Sequence, residues 1–255
     1  MILGIQVAAI AVVASLLTGG LVEGAFAHDR DKDWSATVGL KVWRNQWETG
    51  RTNIDPSTGN NYIISLTSAE KYSLIPSLAV RYKDVFVSGG YFTKTSYSFP
   101  EISVAGTRSS LKADRTEADV NVGWFPFSHV GAALTVGYKT VKEEYETSFA
   151  GSAATTRDSI KYRGATFGLL ASGRMSETFT LYAHGTTSPW FKAKNSDGQS
   201  EAGWYRALEF GITWRVTKGA ALTLGPKQEW IKTFLGDQTR TDSTTGFALG
   251  ANYTF

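Results

Sequence analysis

Cysteine is absent from this 255-residue sequence. That absence excludes disulfide frameworks, cysteine-ligated zinc, iron–sulfur clusters and thiol catalysis together, because each needs the sulfur. A surplus of one charge is nearly absent too, with 26 Lys and Arg against 23 Asp and Glu. The resulting +3 is too small to mark a dedicated nucleic-acid binder. Beyond residue 27 no stretch approaches the 18 consecutive apolar residues of a transmembrane helix. P-loop, Rossmann and metal-ligand spacings are also missing, so no cofactor and no metal is implied. What is present is 42% hydrophobic and 13% aromatic residues with 26 glycines, a composition that folds rather than one of a disordered chain.

The N-terminus stands apart. Ile2 to Val22 form an apolar stretch, Ala25-Phe26-Ala27 fits a small-residue cleavage site, and the chain then turns polar from His28 to Asp33. Residues 1–27 therefore read as a signal peptide cleaved after Ala27, although no Lys or Arg precedes the apolar stretch. Residues 28–255 read as a single domain.

Within that domain the recurring pattern is strict alternation. Thr116, Ala118, Val120, Val122 and Trp124 share one parity while Glu117, Asp119, Asn121 and Gly123 share the other. Leu208, Phe210, Ile212 and Trp214 alternate in the same way with Glu209, Gly211, Thr213 and Arg215. Period two places successive side chains on opposite faces of a β-strand. About ten such segments can be counted. Parity over Val85 to Tyr97 depends on whether Gly89-Gly90 forms a bulge, and Pro226 is awkward in a central strand.

The connections alternate in length. Tight links at Lys83-Asp84, Phe125 to His129, Gly173 to Glu177 and Thr217 to Gly219 separate long polar segments near 44–71, 98–114, 145–161, 187–203 and 235–243. Short and long loops thus fall at opposite ends of an antiparallel meander. Aromatic residues collect near both ends: Trp34, Tyr82, Trp124, Phe125, Phe127, Phe179, Trp214, Tyr253 and Phe255 near the short turns, and Trp43, Trp47, Tyr72, Tyr97, Tyr145, Trp190, Trp204 and Trp230 near the long loops. Two such bands read as interfacial girdles.

The ending Phe247-Ala248-Leu249-Gly250-Ala251-Asn252-Tyr253-Thr254-Phe255 carries an aromatic at the terminus and another two positions before it. In this the sequence resembles the Gram-negative outer-membrane β-barrel superfamily, whose last strand is read by the barrel-assembly machinery, here through Tyr253 and Phe255. The resemblance implies an all-β, single antiparallel up-and-down transmembrane barrel of about ten strands in the bacterial outer membrane. It also implies contact with outer-membrane lipid and lipopolysaccharide.

With lipid outside, the polar parity faces the lumen. Counting residues from the short turns puts Lys94, Glu117 and Lys139 at one level on consecutive strands, with Asp119 just below. Glu209, Lys227 and Glu229 reach a similar level opposite, joined by Lys41 and His184. Ten strands leave at most a narrow pore. A ring of mixed charges then reads either as a filter or as a plug of paired charges. The expected function is a narrow porin-like channel for small ions or polar solutes; the alternative is a plugged structural or surface-binding barrel. In either case a lumen change such as Thr213→Lys is expected to be tolerated and a lipid-facing Leu208→Arg is not.

An enzyme is the remaining class. His184 is the one histidine placed to act as a base, since His28 begins the domain and His129 falls in a short turn. Tyr182 stands where the Asp-x-His pattern of omptin proteases needs an acid, and Thr186 where lipid A deacylases carry serine. The sequence is therefore read as that of a non-enzyme. Near the long-loop end the bases Arg108, Lys112, Arg115, Arg157, Lys161, Arg163, Lys192 and Lys194 face anionic lipopolysaccharide as the obvious partner. They are interspersed with Glu101, Asp114, Glu143, Glu144, Glu146, Asp158, Asp197 and Glu201, which reads as a solvated rim of mixed charge.

Overall fold

A computed structural model describes residues 33–54, 61–104, 107–126, 131–151, 155–235 and 238–255. The expected signal peptide, Phe127 and His129 lie outside the described residues. Twelve strands follow in chain order: β1 (Trp34–Ile54), β2 (Asn61–Thr67), β3 (Lys71–Tyr82), β4 (Val85–Ser98), β5 (Ile102–Val104), β6 (Thr107–Trp124), β7 (Ala132–Phe149), β8 (Thr155–Arg174), β9 (Phe179–Asn195), β10 (Ser200–Arg215), β11 (Ala220–Leu235) and β12 (Gln238–Thr254).

Ten of them form a closed antiparallel barrel. Consecutive strands pair from β6 to β12, β4 pairs with β6, and β1 pairs with both β3 and β12. The β1–β12 seam runs from Thr37 opposite Thr254 to Thr52 opposite Thr239, so neither terminal strand leaves an open edge. The two additional strands are continuations. β2 extends the β3 pairing along β1 above a break at Ser68–Glu70. In the same way β5 extends β4 along β6 above Phe99–Glu101.

The strands run well beyond the expected segments. β1 has 21 residues and β8 has 20, and the β7–β8 ladder continues to Ser148 opposite Thr155. Most of residues 44–54, 61–67, 145–149, 155–161 and 187–195, expected as loop, is therefore sheet. These parts look like loop in the sequence because both their faces carry Ser, Thr and charged residues.

The outward face explains why. On β1, Trp34, Val38 and Leu40 are exposed, and the same face then changes to Arg44, Gln46 and Glu48. On β10 the exposed series Trp214, Ile212, Phe210 and Leu208 gives way to Arg206. The apolar belt is thus about nine residues high, roughly 30 Å along a strand and about 25 Å after tilt, which is the height of a transmembrane barrel's lipid-facing band. Above it the barrel continues as a wall that is polar outside. The girdle at the short-turn end is present, with Trp34, Tyr82, Trp124, Phe179, Trp214, Tyr253 and Phe255 all exposed. Phe125 departs from it, lying buried against Phe86. Of the aromatics expected at the other end, Tyr72 and Trp190 are strongly exposed, whereas Trp43, Trp47, Tyr97 and Tyr145 are buried inside the barrel.

Candidate functional site: the filled lumen

The interior is stacked in three layers. Its floor, next to the short turns, is the apolar cluster Phe86, Phe125, Ala133 and Leu170. Phe86 reaches this position because its register partner is Gly123, whose bare backbone receives the ring. A Cβ at Gly123 would lie 2.0 Å from the Phe86 ring.

The middle layer is ionic. Lys41 of β1 pairs with Glu209 of β10, whose Oε1 also accepts from the Tyr182 hydroxyl at 3.1 Å. Glu117 of β6 receives Lys139 of β7 and, at 2.6 Å, Arg115 of its own strand. Glu229 of β11 gathers Arg115 at 3.0 Å, Lys227 at 3.2 Å and Lys139 at 3.5 Å, and accepts from the Tyr205 hydroxyl at 3.2 Å. Arg115 donates also to Thr244 Oγ1 at 2.6 Å. The cations lie over rings as well, Lys227 over Trp43 at 4.6 Å and Lys139 over Tyr205 at 5.0 Å.

The upper layer combines aromatic rings with a second ionic cluster. Trp47 meets Tyr97, Phe99 and Tyr145 at centroid distances of 5.2, 5.6 and 5.8 Å. Arg240 of β12 bonds Asp242 through Nε at 2.8 Å and Glu143 of β7 through Nη2 at 3.1 Å. Glu143 Oε2 accepts from Tyr145 at 2.5 Å and Tyr162 at 3.0 Å. Among the described residues, the buried charges of the two ionic layers are Lys41, Arg115, Lys139, Lys227 and Arg240 against Glu117, Glu143, Glu209, Glu229 and Asp242, five of each sign. Balanced pairing of this kind is what allows charges to be held away from water.

Of the residues expected to share the lumen, Lys41, Glu117, Lys139, Glu209, Lys227 and Glu229 converge in the middle layer. Asp119 and His184 line a small cavity among them, of about 40 Å3, with room for no more than a few waters. His184 Nε2 and Thr186 Oγ1 are 3.1 Å apart. Lys94 is a correction: it points outward, 58% exposed, and pairs with Asp114 at 2.7 Å on the outer wall. The cause is a register shift between Phe92 and Thr95 that reverses the parity of β4, a few residues beyond the Gly89-Gly90 pair.

Arg115 and Glu143, expected on the solvated rim, are also corrections, since both are fully buried. Arg240 and Asp242 had no expected role. Their signal is in the parity of β12, where Arg240, Asp242 and Thr244 are in phase with the inward Ala248, Gly250 and Asn252. The assumption that residues 235–243 form a loop concealed it.

A closed ten-strand antiparallel barrel with an outward apolar belt and an aromatic girdle is the architecture of outer-membrane β-barrel proteins. No family model matches the chain, and no curated protein does. Among solved structures it is similar to the outer membrane protease OmpT from Escherichia coli, with a TM-score of 0.65 at 11% identity over 87% of this chain and 97% of that one. It also matches the Pseudomonas putida toluene transporter TodX, with a TM-score of 0.38 at 9% identity over 94% and 95% of the two chains. A third match is Ail, the attachment invasion locus protein of Yersinia pestis, with a TM-score of 0.33 at 10% identity over 88% and 100%. At 11% identity the property shared with OmpT is the fold.

Proposed function

We propose that this chain is a sealed outer-membrane barrel that acts through its outer wall and long-loop end, as a structural or surface-binding protein, and does not conduct solutes as a porin. The observation carrying this reading is the filled lumen: the Phe86 floor, the Arg115–Glu117–Lys139–Glu229 network and the Trp47 aromatic layer succeed one another along the axis. A diffusion pore needs hydrated space, and the enclosed space among these charges is about 40 Å3. Removing any one charge leaves its partners buried and uncompensated at about 3 to 5 kcal/mol, which favours the closed arrangement.

The same geometry supports a non-catalytic reading. His184, the sequence's candidate base, sits five residues above the start of β9 inside the barrel, beside a cavity too small for a macromolecular substrate. Recording from planar bilayers after insertion of the refolded chain tests the proposal. Silent membranes are the expected result, with insertion verified by heat-modifiable electrophoretic mobility. Steady ohmic conductance overturns the sealed reading and restores the porin-like channel.

A further inference from the structure

The outer wall above the apolar belt is electrically lopsided. On the β1–β7 side its cations stand beside acids: Arg44 pairs with Glu70 at 2.5 Å, Lys94 with Asp114 at 2.7 Å and Lys142 with Glu144 at 2.6 Å. On β8, β9 and β10 the outward face carries Arg163, Lys161, Lys192, Lys194 and Arg206, all exposed. Among the described residues no acidic side chain shares that outward parity on these three strands. Neighbouring acids lie at its margins: Glu144 beside Lys142, Glu146 bonded to Arg157 at 3.2 Å, Asp158 bonded to Ser196 at 2.6 Å, and Asp197 and Glu201 at the far end of the β9–β10 hairpin.

Register makes the imbalance sharper. Lys161 stands directly opposite Lys194 on one side and Lys142 on the other, and Arg163 stands directly opposite Lys192. Like charges facing each other across a ladder destabilise a sheet. Lys142 has Glu144, but the facing pairs Lys161–Lys194 and, two residues below, Arg163–Lys192 are a repulsive arrangement that an anion would relieve. With strands about 4.8 Å apart, the Lys142–Lys161–Lys194 row is about 10 Å wide, and the two rows are about 7 Å apart. That area exceeds one phosphate.

Position selects the ligand. The rows lie just above the lipid-facing belt, and the exposed Trp190 stands between them and the membrane on β9, as an interfacial aromatic does. Cations and an exposed indole set immediately above an apolar belt fit the headgroup of a lipid lying against the barrel.

We propose that the β8–β9 wall binds lipid A, the doubly phosphorylated glycolipid anchor of lipopolysaccharide, with its phosphates on Lys161, Arg163, Lys192 and Lys194. This inference rests on the outer-membrane reading given above.

The test folds the full chain into phosphatidylcholine vesicles alone, or mixed with lipid A, monophosphoryl lipid A or phosphatidylglycerol, and counts retained lipid by native mass spectrometry. Wild type retains lipid A. The variant Lys161→Gln/Arg163→Gln/Lys192→Gln/Lys194→Gln retains it about tenfold less or lower still, and Arg44→Gln/Lys94→Gln on the opposite wall matches wild type. Thermal unfolding supplies a second readout that changes sign: the quadruple variant is the more stable protein in phosphatidylcholine and the less stable one with lipid A. Equal lipid A retention by the quadruple variant overturns the site. Equal retention of monophosphoryl lipid A or phosphatidylglycerol by wild type overturns the assignment to a bisphosphorylated glycolipid. Failure of wild type to insert into any of the vesicles overturns the outer-membrane reading itself.

Discussion

Glu229 of β11 and Arg115 of β6 form an ion pair at 3.0 Å across the barrel interior, although four strands separate them around the wall. The pair braces opposite sides of the cylinder. Glu229→Ala leaves Arg115, Lys139 and Lys227 without their shared carboxylate, and is expected to cost about 3 to 5 kcal/mol. Urea unfolding of the variant and wild type in the same lipid measures it. A cost below about 1 kcal/mol would mean that water reaches and screens the network.

Conductance separates the contribution of the ionic layer from that of the rings above it. Lys139→Ser/Glu229→Ser removes one charge of each sign and opens space in the middle layer while leaving Trp47, Tyr97 and Tyr145 in place. Small, steady currents are expected in bilayers where wild type is expected to be silent. A silent variant that inserts normally would locate the seal in the aromatic layer.

The two faces of β10 should respond oppositely to what the sequence pattern alone suggests for one of them. Leu208 faces outward within the apolar belt, and Leu208→Arg is expected to cost about 2 to 4 kcal/mol. Thr213, expected from the sequence to tolerate lysine, is only 1% exposed and belongs to the filled interior. Thr213→Lys therefore buries an unpaired charge and is expected to reduce folding yield as strongly as Leu208→Arg. Refolding yield by gel mobility compares the two directly.

Packing at the floor gives a prediction independent of charge. Gly123→Val forces a branched side chain into the Phe86 ring, which has the β4 backbone behind it. Overpacking of this kind typically costs about 1 to 3 kcal/mol. The double variant Gly123→Val/Phe86→Ala should recover part of that loss in the same unfolding assay.

Phe255 and Tyr253 stack edge-on at 4.8 Å on the outward face of the seam strand, and the Phe255 amide donates to Ala36 O at 2.9 Å. Both rings are exposed, so deleting Phe255 removes little buried area. In vitro stability is expected to change by less than about 1 kcal/mol, while the amount of folded protein in outer-membrane fractions falls several-fold. A matching fall in both would assign these rings to stability and not to assembly.

Period two in Thr116–Trp124 and Ala207–Arg215 was sufficient to establish strands, their approximate number and an outward apolar face, because alternation across a pleat is a local property of the backbone. Short links such as Lys83-Asp84 likewise announce an antiparallel meander, since two residues can only reverse the chain; Lys83 supplies the positive φ the turn needs. Alternation cannot reveal where a strand ends once its outward face leaves the lipid. The upper halves of β1, β6, β7, β8 and β12 therefore read as loop, and Arg115, Glu143, Arg240 and Asp242 were lost with them.

What the sequence by itself determined is the barrel class, the lipid-facing parity and most members of the middle ionic layer. The tertiary structure alone decided how the charges of that layer are paired. Arg115 reaches Glu229, and Arg240 reaches Glu143, only when closure of β1 on β12 brings distant strands to face each other across the lumen. It also decided that Lys94 lies outside, because one register shift in β4 exchanges the faces of every residue above it. Charge pairing and register are relations between strands, and no spacing within a single strand encodes them.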